Sequence, residues 1–211
     1  MQASDVQALF TARDGSYRFA RWGRPIVPVV FGVDDRTLSI FKGAVEAVVT
    51  LARHRMAETD PELGANLMVF FFRDWEELPQ VPNLDRLVPE LPALCDRLAK
   101  TGANQYRLFR FDAQGAIRAV FVFLRMDAAL SEMAAEDLAL AQAAEVMLLW
   151  GDGAFAKVSP LARTEGGVIL RPEIAGLIRA AYDPVLPAAS QDPAHGLRLQ
   201  ARLQAGGFRA S

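Results

Sequence analysis

Apolar residues recur at two different periods along this chain, and the changes of period mark its elements. Tyr17–Trp22 alternates aromatic with smaller and charged side chains, as a half-exposed strand does. Ile26–Val33 is a second β-rich run; Pro28 within it lacks the amide hydrogen of a central strand, which argues for an edge or a bulge. From Arg36 to about Met56 the period becomes helical, with Leu38, Phe41, Val45, Val48 and Ala52 every three or four residues behind a cap at Asp34 or Asp35. Asn66–Phe72 is apolar on both faces, which belongs inside a sheet. Gln105–Asp112 and Ala116–Leu124 flank Ala113-Gln114-Gly115 as a hairpin, and the return strand, with almost no polar residue after Arg118, belongs at the sheet's centre.

The longest apolar stretch is Asp127–Trp150. From Glu132 onward it has no Pro or Gly and only five polar residues, so it reads as one long helix buried at the centre of the domain. Shorter helices are expected from a capping box at Ser4–Gln7 to Ala12, over Ala93–Lys100, over Pro172–Tyr182, and over Ala194–Gln204 before a frayed Gly-rich end. Pro79, Pro82, Pro89 and Pro92 make Asp74–Pro92 a loop with at most short helical pieces. Asp14-Gly15-Ser16 and Asp60–Gly64 are turns, and Val168–Leu170 is a short strand. The pattern predicts a single α+β domain over 1–211, a mixed, mostly antiparallel sheet packed on two long helices, with C-terminal helices. Its core spans about 17–187, and 188–211 forms a loosely attached tail.

At 211 residues, 52% hydrophobic and 23% charged, the chain can bury a full core and is not a disordered segment. Net charge is −2 with no basic stripe, which argues against nucleic-acid binding. The longest apolar runs, such as Leu67–Phe72, fall far short of a membrane span. Met1–Gln7 lacks the basic and apolar regions of a signal peptide, and Cys95 stands alone, so a cytoplasmic protein is expected. Cys95 itself reads as a small buried hydrophobe.

Candidate chemistry is sparse. His54 and His195 are the only histidines, too few for a zinc centre built on imidazoles, and Ser159 and Ser190 sit beside Pro or Ala with no serine-hydrolase motif around them. His54, between Arg53 and Arg55, is explained by a helix's last turn, where positive charge offsets the dipole. A zinc-peptidase helix carries His at i and i+4 with a Glu between them, so that both rings face one ion. The long helix instead pairs Leu138 with Gln142 and Ala141 with Glu145; only Glu132 and Glu136 pair two potential ligands, and the helix dipole accounts for carboxylates there. At 100° per residue its polar side chains point several ways: Glu132 and Glu136 share a side, Asp137 and Glu145 lie towards another, and Gln142 is on a third. Each then needs its own partner. Glu145, in apolar surroundings, is the one whose pKa burial would raise. Gly151-Asp152-Gly153 ends the helix and has no phosphate-loop pattern, while Trp22, Trp75 and Trp150 read as lids on the core. The residues left as ligand-binding candidates are Glu145, Trp150 and Asp152, with no catalytic residue, metal ligand or cofactor assigned.

The order strand, long helix, strand, hairpin, long central helix, C-terminal helix resembles that of the zincins, whose second long helix normally carries H-E-x-x-H. Arg21–Ile26 (R-W-G-R-P-I), Ala65–Phe70 (A-N-L-M-V-F), Gly115–Val122 (G-A-I-R-A-V-F-V) and Leu177–Pro184 (L-I-R-A-A-Y-D-P) are similar to segments of a bacterial family of relic, protease-like zincins. The similarity covers roughly 17–187. Family members tend to carry a Glu-Leu-x-Gln type sequence in place of the zinc motif, and Leu138–Ala143 (L-A-L-A-Q-A) looks like a further eroded version. With Gln142 at the second His position, Leu138 stands at the first and Ala139 at the general-base position, so the resemblance implies the fold without the peptidase activity.

Three functional readings follow. The first is a non-catalytic zincin-like domain acting through a protein or small-ligand partner. The second is a small-molecule binding or sensing domain with a pocket beside the central helix. The third is a hydrolase using Glu136, Asp137 or Glu145.

Overall fold

The structure, a computed structural model, describes residues 1–206. In chain order the elements are α1 (Ala3–Ala8), β1 (Phe19–Ala20), β2 (Pro28–Phe31), α2 (Asp35–Leu51), β3 (Leu67–Phe72), a 3₁₀ helix (Trp75–Gln80), α3 (Leu84–Leu87), α4 (Leu91–Lys100), β4 (Gln105–Phe111), β5 (Ile117–Arg125), α5 (Ala128–Ser131), α6 (Ala135–Met147), β6 (Leu161–Thr164), β7 (Gly167–Leu170), α7 (Pro172–Ala181), β8 (Ala189–Ser190) and α8 (Ala194–Ala205).

The main sheet has the order β2-β3-β5-β4. The two strands apolar on both faces, β3 and β5, are its inner pair, and Pro28 lies in the edge strand β2. Side chains on β5 alternate from Ala119 to Leu124. Val120, Val122 and Leu124 join a core with α2, α6 and α7, whereas Ala119, Phe121 and Phe123 join a second core with α4 and the 3₁₀ helix. The sheet is therefore covered on both faces. Its pairing corrects the expectation of a mostly antiparallel sheet: β2, β3 and β5 are parallel, and only β4 runs against its neighbour. Parallel pairing follows from the connections, since α2 crosses between β2 and β3, and the 3₁₀ helix, α3, α4 and β4 lie between β3 and β5.

Both long helices are shorter than their apolar patterns. Asp34 caps α2 by accepting from the Thr37 amide at 2.8 Å, as expected. The helix stops at Leu51 because Arg53 turns left-handed (φ 55°) and the amides of Arg53 and His54 close back on the carbonyls of Thr50 and Val49. His54 lies beyond the helix, with Nε2 on the Arg24 carbonyl at 2.8 Å, so the dipole does not explain it. The expected helix over 127–150 is broken. Asp127 caps the short turn α5, Ala134 is extended, and α6 starts afresh at Ala135. It also ends at Met147, since Leu148 and Leu149 pair with the backbone of Arg21 and Ala20. Neither break involves Pro or Gly.

The N-terminal helix is capped two residues earlier than expected, at Gln2, whose amide donates to Asp5 at 2.7 Å, and it ends at Ala8 instead of Ala12. Tyr17–Trp22 narrows to the two-residue β1 paired with β8, and Tyr17, Phe19, Ala20 and Trp22 are all buried rather than half-exposed. Leu161–Thr164 is an unexpected strand that completes a hairpin with β7.

The segment read as a loose tail is docked. β8 pairs with β1, the Gln7 side chain donates to the Pro193 carbonyl at 2.9 Å, and His195, Leu199 and Leu203 of α8 are buried. The expected frayed end at 207–211 lies outside the described residues. His195 anchors this docking: its Nδ1 is 3.0 Å from the Tyr17 hydroxyl and its ring packs on Phe19, with centroids 4.2 Å apart. Burial and then Arg198 push its pKa down to about 4, against a smaller opposing effect of Asp192. The unfolded chain protonates such a group near 6.5 and the folded chain near 4, so its contribution is complete above the first value and lost as pH falls towards the second. We expect unfolding free energy to drop by about 3 kcal/mol across that window through this residue. Denaturant titrations at pH 7 and pH 4 should give a smaller drop in His195→Phe than in the parent, and equal drops would exclude the assignment.

Candidate functional site

Gln105 and Arg107 stand on β4, and Gln142 and Glu145 stand on α6, facing them across an otherwise apolar interface. Arg107 Nη2 donates to Gln142 Oε1 at 2.8 Å and to Gln105 Oε1 at 3.0 Å, and forms an ion pair with Glu145 at 2.7 Å. Gln142 Nε2 closes the ring by donating to Gln105 Oε1 at 2.9 Å. Gln142 is only 3% exposed, so its amide needs these partners. Gln142 and Glu145 thus share a side of the helix, correcting the assignment to different sides: three residues apart is about 60° of separation, and one guanidinium reaches both.

Beyond this network lies a cleft of about 790 Å³ between β4, the end of α6 and the loop after it. Glu145, Trp150 and Asp152, the three candidates from the sequence, all line it, together with Arg13, Arg107, Phe109 and Phe155. The loop is held tightly. The Gly151 amide donates to the Leu9 carbonyl at 2.8 Å, and a Cβ on Gly151 would come within 2.3 Å of the Thr11 carbonyl oxygen. Asp152 accepts from the Arg13 amide at 3.2 Å. Trp150 stacks on Phe10 with centroids 5.3 Å apart, meets Phe155 edge-on, and donates Nε1 to the Ala144 carbonyl at 3.2 Å. It is both a lid on the core and a wall of the cleft.

Burial pushes the Glu145 carboxyl above its ordinary range, and the Arg107 charge pulls it part of the way back. Burial likewise lowers Arg107, whose Nε has no partner among the described residues. The pair is therefore mutually dependent. Chemically the site offers recognition: aromatic walls, a guanidinium and two amides fixed by one another.

The other carboxylates considered for hydrolysis do not join Glu145. Glu136 is exposed, and Asp137 faces Arg163 of β6 at 3.9 Å. Leu138 and Ala139, at the first-ligand and base positions of the resemblance, are buried in the core. Among the described residues, no group of three His, Cys, Asp or Glu side chains could hold a metal ion. Cys95 is buried on α4 within the second core, Trp22 donates to the Val146 carbonyl, and Trp75 to that of Ala103. Arg107 and Gln105 carry no motif. What pointed to them was only that Glu145 and Gln142, inside an apolar helix, required polar partners from elsewhere.

No protein family, curated protein or solved structure matches the chain. Its function is therefore argued from this site.

Removing one member of this half-buried pair leaves the other charge poorly compensated, at a cost of about 2 kcal/mol. Glu145→Gln should show that loss in chemical denaturation, whereas Arg107→Met combined with Glu145→Leu should recover most of it. A Glu145→Gln protein as stable as the parent would refute the coupling.

Proposed function

We propose that this protein is a non-catalytic, zincin-like domain that binds an extended polypeptide segment in the cleft between β4 and α6. The order strand, helix, strand, hairpin, helix supports the zincin-like reading, with α6 following β5 in the place where the zinc motif would stand. The observation that carries the non-catalytic reading is the state of Gln142. At the position of a second metal ligand, its amide is closed onto Gln105 and Arg107.

The polypeptide follows from the edge of the sheet. Among the described residues β4 has β5 on one side and no strand on the other. The Arg125 amide donates to Asn104, and alternation along an antiparallel pair then turns the amides and carbonyls of Gln105, Arg107 and Phe109 outward. The side chains of the same residues form the cleft's floor. An added strand would satisfy that open edge and drop alternate side chains among Phe109, Trp150 and Phe155. The opposite edge, β2, carries Pro28, which has no amide hydrogen to give an added strand. A small molecule in the same cleft is the second reading, favoured by its volume of about 790 Å³, which suits such ligands.

Peptides selected from a displayed library against the whole protein provide the test. Phe109→Pro removes one outward amide without costing a ladder bond, and should weaken a selected peptide about tenfold relative to Phe109→Ala. Equal binding by the two variants would exclude strand addition. One equivalent of zinc in metal analysis of the purified protein would overturn the non-catalytic reading.

A further inference from the structure

A second cavity, of about 710 Å³, shares no lining residue with the β4–α6 cleft. It lies where the parallel strands β2, β3 and β5 end. Their continuations part: β2 and β5 lead to α2 and α6 on one face, and β3 leads to the 3₁₀ helix on the other. Adjacent parallel strands whose connections leave in opposite directions open a crevice beyond their carboxyl ends, a favoured place for ligands. The turn after β2 fits tightly on β3. Gly32 is left-handed (φ 81°), and a Cβ there would lie 2.2 Å from the Phe71 carbonyl oxygen, so this wall tolerates only glycine.

The floor is apolar, with Phe41, Leu130 and Leu138 at 1, 3 and 3% exposure and Phe71 and Met126 beside them. The rim is polar. Of its charged groups, Asp34 accepts the Thr37 amide at 2.8 Å, and Glu77 accepts the amides of Arg73 and Asp74 at 3.0 and 2.8 Å. The Arg73 guanidinium has no ion-pair or hydrogen-bond partner among the described residues. With Asp34 and Glu77 each accepting backbone amides, Arg73 is the unengaged charge among the described rim residues, and with the apolar floor it suits an amphipathic anion. We infer that this cavity binds a small carboxylic acid, its hydrocarbon body over Phe41 and Met126 and its carboxylate on Arg73. A guanidinium and a carboxylate pair through parallel hydrogen bonds, which an alcohol or amine cannot reproduce.

The experiment is calorimetric titration of the full chain with decanoate, decanol and decylamine, all below their aggregation limits. Decanoate should bind one per chain, at least tenfold more tightly than decanol, with decylamine weakest. Arg73→Gln should bring decanoate down to the level of decanol, and Ser131→Trp, at the exposed rim, should abolish binding of both. No saturable binding of decanoate would overturn the inference. So would a preference for decylamine, or decanoate affinity unchanged in Ser131→Trp. Both substitutions fall at exposed positions, and an unchanged circular dichroism spectrum separates lost binding from lost folding.

Discussion

Val120, Val122 and Leu124 of β5 face α2 and α6, and Ala119, Phe121 and Phe123 face α4. Such a strand cannot stand at an edge or lie bare on one side, because each large side chain left in water forfeits about 1.5–3 kcal/mol. Three consequences follow. Helices must cover both faces, β5 must have a strand on each side, and the hairpin partner β4 becomes an edge. An open edge beside a helix that packs on the same face leaves a furrow between them, and the cleft occupies that furrow.

Inside that furrow a polar ring replaces the hydrophobic packing found elsewhere on α6. Arg107, Glu145, Gln142 and Gln105 hold β4 and α6 apart by the length of their side chains, while Ala139, Ala143 and Ala144 let the rest of the helix pack closely into the core. A buried ion pair adds little net stability, since desolvation offsets most of its attraction. Its effect is on geometry: one arrangement joins all four groups, and a shifted helix would strand a charge. The tight contacts at Gly151 fix the loop across the cleft in the same way.

Much of this architecture was legible residue by residue. The inner places of β3 and β5, the edge position of β2, the Asp34 cap and the hairpin turn all follow from apolar runs, a proline and turn residues. Helix ends were less legible. The left-handed Arg53 has no glycine to announce it, and the break at Ala134 lies in a stretch of good helix formers. Strand direction was missed because alternation reports which faces are buried but not which way a neighbour runs. For the site, Glu145, Trp150 and Asp152 could be picked out as polar or amphipathic groups at the end of an apolar helix. Arg107 and Gln105 could not, since nothing local separates them from the polar residues of any edge strand.

By itself, then, the sequence determined which faces of β3 and β5 are buried and where α2 begins, because hydrophobic period and capping are local properties. It also determined that α6 carries no H-E-x-x-H. The tertiary structure alone decided how those elements meet: parallel pairing of β2, β3 and β5, the docking of α8 through His195 and Tyr17, and the closing of Gln142 onto Arg107. These depend on contacts between residues far apart in the chain. A buried polar group shows in sequence only as a requirement for a partner, and the fold selects which one supplies it.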